Sequence, residues 1–460
     1  MTDPTFTPAD LSELRERVSG VVLTPTDEGF TELVTGSQLA AIYAPDAAIG
    51  VTSEDDVIEA VRFALDHDLP VRVQATGHGA SGTILGGLLL ITDRLDSVSV
   101  DPGMLWATIG AGARWEPVVA VAGQFGLAPV TGSSTAVGAI GYTLGGGLGP
   151  LARSHGFSSD YARAFRVVTG LGDLVVADEA HHPDLFWALR GGKSGFGVVT
   201  AMEFDLVALP EITGGALFFA EENIETALRG WLDWTTDAPA EATTSAAIVR
   251  FPPFDAVPEI FRGKTMLTLR FAHPDPKAGA ALAAPLRALA PAVIDTIGAM
   301  PTTKIALIHN DPVDPAPSWV AGLMITPDPD NTALATALLA AAGAGVRAPV
   351  VSLELRHLGN RTTVDVAEGS AVGGRGAEFT LGAVAILVPD LPVPVIEDFW
   401  AGLRAAIAPR VSPVTTINFA GHPTAAEYPH SWEPAIFDRL QRVATEHDPA
   451  GVFAWSDSAG

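Results

Sequence analysis

Between residues 138 and 149 the chain reads Gly138-Ala139-Ile140-Gly141-Tyr142-Thr143-Leu144-Gly145-Gly146-Gly147-Leu148-Gly149, six glycines in twelve residues. That density permits positive φ and brings backbone N–H groups close to a ligand, which is what a diphosphate needs. A set of tight turns would use the same residues. A second glycine-rich stretch runs from Gly77 to Gly87, and two such stretches together favour the ligand.

Composition narrows the ligand's class. The chain has 460 residues, enough for two domains or for one large domain split by an insertion. With 48% hydrophobic and 17% charged residues it is expected to fold rather than remain disordered. Its 27 basic and 53 acidic side chains give a formal charge of −26. This argues against a nucleic-acid partner, which needs Lys and Arg to neutralise phosphates, and against an anionic bilayer. A small molecule is the expected partner. There is no cysteine, so disulfides, thiolate metal sites, iron–sulfur clusters and thiol nucleophiles are excluded. The segment Met1-Thr2-Asp3-Pro4 lacks a basic n-region and an apolar h-region, and runs such as Gly87–Thr92 are too short to span a bilayer. A cytoplasmic protein is expected, with no membrane span.

Periodicity predicts the elements. Ser53 caps an amphipathic helix carrying Val57, Ala60, Val61, Ala64 and Leu65, and Val71–Ala75 alternates as a strand. Helices are predicted at Trp115–Phe125 and Pro183–Arg190, and a long strand at Phe196–Leu206. After Pro210, helices near 222–236, 276–290, 331–343 and 395–408 alternate with strands near 243–251, 265–272, 350–358 and 379–388. That pattern predicts helices on one face of an antiparallel sheet. The tail, with a helix near 433–447, is too short for a core of its own and is expected to return to the first part of the chain.

Two nucleotide motifs are matched without their context. Gly77-His78-Gly79-Ala80-Ser81-Gly82 is a literal G-x-G-x-x-G after a strand, but a helix must open at its third glycine, and the following residues read as turn and strand. Gly192-Lys193-Ser194 resembles the end of a phosphate-binding P-loop, but the required upstream glycine is Trp187.

Several longer motifs resemble one family. They are Arg72-Val73-Gln74-Ala75-Thr76-Gly77-His78-Gly79, Gly132-Ser133-Ser134 with the 138–149 loop, and Pro183–Gly192 with Gly195-Phe196-Gly197-Val198-Val199-Thr200. Ile417-Asn418-Phe419 and Asp448-Pro449-Ala450-Gly451-Val452-Phe453 follow near the end. Together they are similar to the FAD-linked oxidases of the vanillyl-alcohol oxidase superfamily, within it the berberine-bridge-enzyme-like branch. The resemblance covers residues 38–210 and 410–455 well and the intervening part loosely.

The resemblance implies an α+β fold. A two-part FAD-binding domain of PCMH type (residues 1–210 and 410–460) would carry an inserted α+β substrate domain at 211–409, an antiparallel sheet covered by helices. It implies FAD bonded to His78, whose neutral imidazole can add to the flavin methyl carbon. Thr76, Gly77, Gly79, Ala80, Ser81, Ser133, Gly138, Gly141 and Gly145 would line the cofactor. Many relatives carry a second link through a cysteine where this chain has Ser134, so a single link is expected. Asn418 would hydrogen-bond the flavin or its chain, the backbone of Val198 and Val199 would contact the adenine half, and Tyr142 would line the ring or simply pack.

The middle part offers the chemistry. In Ser352-Leu353-Glu354-Leu355-Arg356-His357 a period of two sets Ser352, Glu354 and Arg356 on one face. Glu354 is the candidate general base, its pKa expected to rise by burial beside the flavin, with Tyr142 and Arg356 as further catalytic candidates. A surface ion pair between Glu354 and Arg356 fits the same pattern. No spacing of His181 and His182 suits a metal. The expected activity is oxidation of an alcohol, phenol or amine by hydride transfer to the flavin, with molecular oxygen as acceptor and hydrogen peroxide as product. A flavin-containing cyclase without net redox chemistry and an NAD-dependent dehydrogenase built on Gly77–Gly82 are the alternatives.

Overall fold

The computed structural model describes residues 7–80 and 83–453. Its first sheet contains β1 (Val21–Leu23), β2 (Ala47–Gly50), β3 (Val71–Gln74) and β4 (Leu88–Ile91), in the order β1-β2-β4-β3. β2 and β3 both run parallel to the central β4, whose four residues are buried on both faces. Parallel neighbours need a crossover, and α1 (Glu54–Asp66) supplies it between β2 and β3. The Ser53 hydroxyl accepts from Asp56 N at the start of α1, and three acidic residues occupy its first turn, where the helix dipole favours them. Val57, Ala60, Val61 and Ala64 enter the core with Val452 and Phe453 from the far end of the chain.

The second sheet has β5 (Val98–Asp101), β6 (Trp106–Gly110), β7 (Ala162–Val168), β8 (Leu174–Ala177) and β9 (Val198–Asp205), ordered β8-β7-β9-β6-β5. α2 (Trp115–Gly123), α3 (Ala139–Leu144) and α4 (Pro183–Leu189) pack on it. α8 (Pro434–His447), numbered after the helices below, adds Leu440, Val443 and Ala444 to the same core. Tail residues thus contribute to both of these hydrophobic centres.

The third sheet is antiparallel throughout and has eight strands. β10 (Glu211–Phe219), β11 (Thr243–Arg250), β12 (Thr265–His273), β13 (Ala292–Asp295), β14 (Gly298–Pro301), β15 (Ser318–Ile325), β16 (Ser352–His357) and β17 (Phe379–Ile386) follow the order β13-β10-β12-β11-β16-β17-β15, with β14 also pairing with β10. One face is apolar. Leu267, Leu269, Phe271, Leu353, Leu355 and Leu381 bury against α5 (Ile224–Thr235), α6 (Thr332–Ala342) and α7 (Val393–Ala406). Each such side chain contributes roughly 1.5–3 kcal/mol of burial.

The other face is polar. The register sets Arg270 opposite Ser245, Ser245 opposite Arg356 and Ala247 opposite Glu354. Close approach on that face is possible because a methyl group at Gly322 would sit 2.0 Å from the Phe419 carbonyl oxygen. The short turn Ile417–Phe419 therefore rests directly on the sheet.

Three local expectations change. The helix expected at 276–290 is two pieces, Pro276–Leu282 and Ala284–Arg287. Pro285 has no N–H to give the carbonyl four residues back, so a continuous helix splits there. Strand β10 lies where no strand was expected, and so do β13, β14 and β15. Gly215 has φ 141°, and a methyl there would meet Thr296 O at 2.4 Å, so the close approach of β10 to its neighbour requires that glycine. Part of the 138–149 loop is the helix α3, formed because Ala139, Ile140 and Thr143 bury one side of it. Only Gly146 and Gly147 of that loop take positive φ.

Candidate active site

The two glycine stretches meet. A methyl at Gly138 would lie 3.5 Å from Ala75 Cβ and 3.7 Å from Thr76 Cγ2. Thr76 is buried, its carbonyl accepting from Ser37 N at 2.8 Å and Ser37 Oγ at 2.9 Å. Gly77 turns the chain with φ 67°, and Ala80 N returns to its carbonyl, closing a tight turn around His78. Ser81 lies outside the described residues. Ser133 and Ser134 are half-buried beside Gly132, on which the Tyr142 ring packs: a methyl there would meet the ring at 2.9 Å.

Asn418 ties the tail to this region. Its Nδ2 donates to the Tyr142 carbonyl at 2.7 Å, capping the end of α3, and its Oδ1 accepts from Lys193 Nζ at 2.9 Å. Lys193 Nζ also donates to the Gly141 carbonyl at 2.8 Å. Gly145 is required here, because a methyl would stand 2.1 Å from Asn418 Oδ1. Lys193 is half-buried, and burial brings its pKa down to about 8. His78 touches solvent yet is flanked by enough protein that burial lowers its pKa, helped by Lys193 and opposed by Asp311. It is thus neutral near pH 7. Val198 and Val199 send their side chains into separate cores and leave only main chain for other contacts.

Neither Gly79 nor Gly141 has positive φ, and a methyl on either would meet no atom of the described residues within 4 Å, as is also true of Gly298, Gly376 and Gly402; what distinguishes these two is their place beside His78 and the Lys193–Asn418 pair. In the interior of α3, glycine costs roughly 0.5–1 kcal/mol relative to alanine. Neither backbone conformation nor protein packing accounts for these two glycines, which flank His78 and the Lys193–Asn418 pair. They fit a cradle for a group that is not part of the chain.

Glu354 lies on the polar face of the third sheet with its side chain only 15% exposed. It accepts from Ser245 Oγ at 2.7 Å, Arg270 Nη1 at 2.7 Å and Arg356 Nε at 2.9 Å. Two expectations are corrected. The Glu354–Arg356 pair is no surface pair. Burial does push the Glu354 carboxyl up, but Arg356, Arg270 and His309 outweigh it and hold the pKa well below the usual carboxylate range. For Arg356, burial works against the charged form and Glu354 restores it, leaving the pKa raised. The Arg356 guanidinium also lies over the Phe419 ring at 5.3 Å.

Tyr142 sits on α3, edge-on to Trp115 at 6.0 Å between centroids. Its hydroxyl is sealed beside Ser158 without a well-formed hydrogen bond, and burial drives its pKa far up, so it stays protonated. Tyr142 and Arg356 lie close enough for each to shift the other. Asp311 acts on both His78 and Arg356, favouring their charged forms. The residues from the glycine stretches and those from the third sheet form one electrostatic neighbourhood.

Five members were not anticipated: Lys193, Ser245, Arg270, His309 and Asp311. Arg270 alternates with Leu269 and Phe271 and was readable by the same period of two as Glu354. His309, after the short turn Thr302–Ile308, has no periodicity to reveal it. Its side chain is 6% exposed, neither ring nitrogen has a hydrogen-bond partner, and Nε2 stands 3.6 Å from Glu354 Oε1. Burial and the two arginines keep it neutral. Beside it opens a narrow recess of about 20 Å³, walled by Leu148, Ser245, Arg270, Phe271, His309 and Arg356 among others.

Known proteins agree with this geometry. Residues 45–178 match the family described as FAD binding domain. This segment is an FAD-binding domain. It is 35% identical over 195 residues to (R)-6-hydroxynicotine oxidase of Paenarthrobacter nicotinovorans, an alignment covering 42% of this chain and 43% of that protein. The chain thus spans less than half the length of this curated relative. Nearly whole-length likeness appears in the fold. The crystal structure of 6-hydroxy-D-nicotine oxidase from Arthrobacter nicotinovorans superposes with a TM-score of 0.83 at 24% identity, covering 98% of each chain. Glucooligosaccharide oxidase from Acremonium strictum, whose flavin is 6-S-cysteinyl, 8α-N1-histidyl FAD, superposes at 0.80 with 21% identity over 96% of this chain and 97% of that one. These matches are named as oxidases, the last of them with its FAD. The strand Thr83–Leu85 directly after the Gly77–Gly82 segment leaves the dinucleotide motif without the helix it needs.

Proposed function

We propose that the chain is an FAD-dependent oxidase of a small alcohol, phenol or amine, with FAD bonded once, to His78, and oxygen reduced to hydrogen peroxide. The flavin domain comprises residues 1–210 and 410–460, and residues 211–409 carry the substrate. The observation that carries this reading is the pair Gly79 and Gly141, open to a group outside the chain and flanking a neutral histidine.

FAD, when bound, accepts hydride from the substrate carbon; the chain's part is positioning and proton handling. The cradle consists of Thr76, Gly77, Gly79, Ala80, Ser133, Ser134, Gly138, Gly141, Gly145 and Asn418, with Val198 and Val199 offering main chain. His78 keeps a lone pair for the single link, and Ser134 offers no thiol for a second.

Substrate lies between the polar sheet face and the glycine loop. The proton leaving its O–H or N–H goes to the His309–Glu354 pair. Glu354 alone is too weak a base, held down by two guanidinium groups. The His309 imidazole is neutral, and the carboxylate 3.6 Å away stabilises the imidazolium it becomes. Tyr142 stays protonated and packs within the glycine loop, and Arg356 holds Glu354 in place.

The test is a screen of alcohols, phenols and amines for peroxide release, followed by anaerobic mixing of each hit with the purified protein. Bleaching of the flavin band by the same compounds that yield peroxide supports the reading. A product formed with no flavin reduction at any stage would favour a non-redox role and overturn it.

A further inference from the structure

Lys193 holds a backbone conformation that lysine rarely adopts. Its φ is 73°, between Gly191 at 120° and Gly195 at 93°. Glycine would meet that conformation without strain, so the side chain is kept at a conformational cost. Both ends of the residue are fixed. Its backbone N–H donates to the Leu144 carbonyl at 2.9 Å, which the Gly191 N–H also reaches at 3.0 Å. Its Nζ donates to the Gly141 carbonyl and to Asn418 Oδ1, and a lysine has a third N–H to give.

The charge of Lys193 is unmatched. Among the described residues no carboxylate pairs with it, and none offsets the burial that brings its pKa to about 8. At pH 7 the side chain is therefore mainly charged while half-buried, which is costly without a counter-charge. It stands near enough to His78 for its charge to act on the imidazole. Capping α3 would use the same two acceptors. A cap alone explains neither the strained backbone nor the unmatched charge.

The oxidation supplies what is missing. The hydrogen on the substrate carbon leaves with both bonding electrons for flavin N5, and the O–H or N–H proton goes to the His309–Glu354 pair. The carbon–heteroatom bond becomes double, and the ring, neutral before, holds one negative charge. A cation already fixed in place stabilises that charge without reorganising. We propose that Lys193 is the counter-charge of the reduced flavin, its ammonium held against Gly141 and Asn418 to offset the negative charge that hydride transfer leaves on the ring. This rests on reading the glycine cradle as a flavin site.

The test is the two-electron midpoint potential of the purified holoprotein at pH 7, read against a reference dye during slow reduction without substrate. Lys193→Met keeps the side-chain length and the backbone strain and removes the charge. It should disfavour the reduced ring at least tenfold, a fall of about 30 mV, and Lys193→Arg should restore most of the difference. A lower melting temperature in the Met variant with an unmoved potential would make Lys193 a helix cap and overturn the proposal. So would reduced flavin content with an unmoved potential, which would assign the cation to the diphosphate. A native protein purified without flavin would overturn the reading of the cradle itself, whereas an unmoved potential in a flavoprotein removes only the role of Lys193.

Discussion

Alanine at position 141 should separate stability from cofactor affinity. Gly141 lies inside α3 with no positive φ, and its added methyl would meet no protein atom within 4 Å. Removing a helical glycine there should stabilise the ligand-free protein by roughly 0.5–1 kcal/mol, or about one or two degrees in melting temperature. If FAD occupies the space that the missing side chain leaves, the methyl must displace it. Overpacking by one methyl costs about 1–3 kcal/mol, which weakens binding roughly 5- to 150-fold. The effect is measured in a His78→Ala background, where flavin exchanges, by fluorescence titration of apoprotein with FAD alongside thermal unfolding without it. Stability up and affinity down is the expected pair. Stability up with unchanged affinity would make Gly141 an ordinary exposed glycine and remove the cradle argument.

Glu354→Gln should lower turnover by about 10²–10⁴-fold with flavin content retained, and stopped-flow reduction by substrate measures it; an unchanged reductive rate rejects the His309–Glu354 pair. Melting temperature should also fall, because Arg270 and Arg356 lose the carboxylate they share. Gly145→Ala should destabilise the protein and detach the Asn418 cap, since its methyl meets Asn418 Oδ1 at 2.1 Å; an unaltered melting curve contradicts this. His357 accepts from Arg153 Nη1 at 3.1 Å, and burial, aided by Arg153, depresses its pKa to about 2. The folded state stays neutral while the unfolded state protonates below pH 6.5, so this contribution is complete above that pH. It should fall by about 1.4 kcal/mol per pH unit towards pH 2. Urea unfolding at pH 7 and pH 5 should show a flatter dependence for His357→Gln; identical slopes refute the assignment.

The legible parts of the sequence were those governed by local periodicity. In Ser352–His357 strict alternation assigned Leu353, Leu355 and His357 to the helix-covered face and Glu354 and Arg356 to the other, as the structure has them. The sign of the Glu354 shift was not legible, because it depends on Arg270, whose strand is separated from Glu354 by 84 positions. Likewise α3 is stabilised from outside itself, by Asn418 across 276 positions, and six glycines concealed it. His309 belongs to a short turn whose position is fixed only by the sheet beneath it. Lys193 was visible and dismissed with the P-loop motif, although its role is to hold Gly141 and Asn418.

The central claim is that His78 anchors FAD covalently, and one measurement addresses it: flavin absorbance after acid precipitation of the purified protein. The native chain should leave a yellow pellet and a colourless supernatant, while His78→Ala should release all of its flavin to the supernatant. A native pellet without colour, or a His78→Ala pellet that keeps it, would contradict the account.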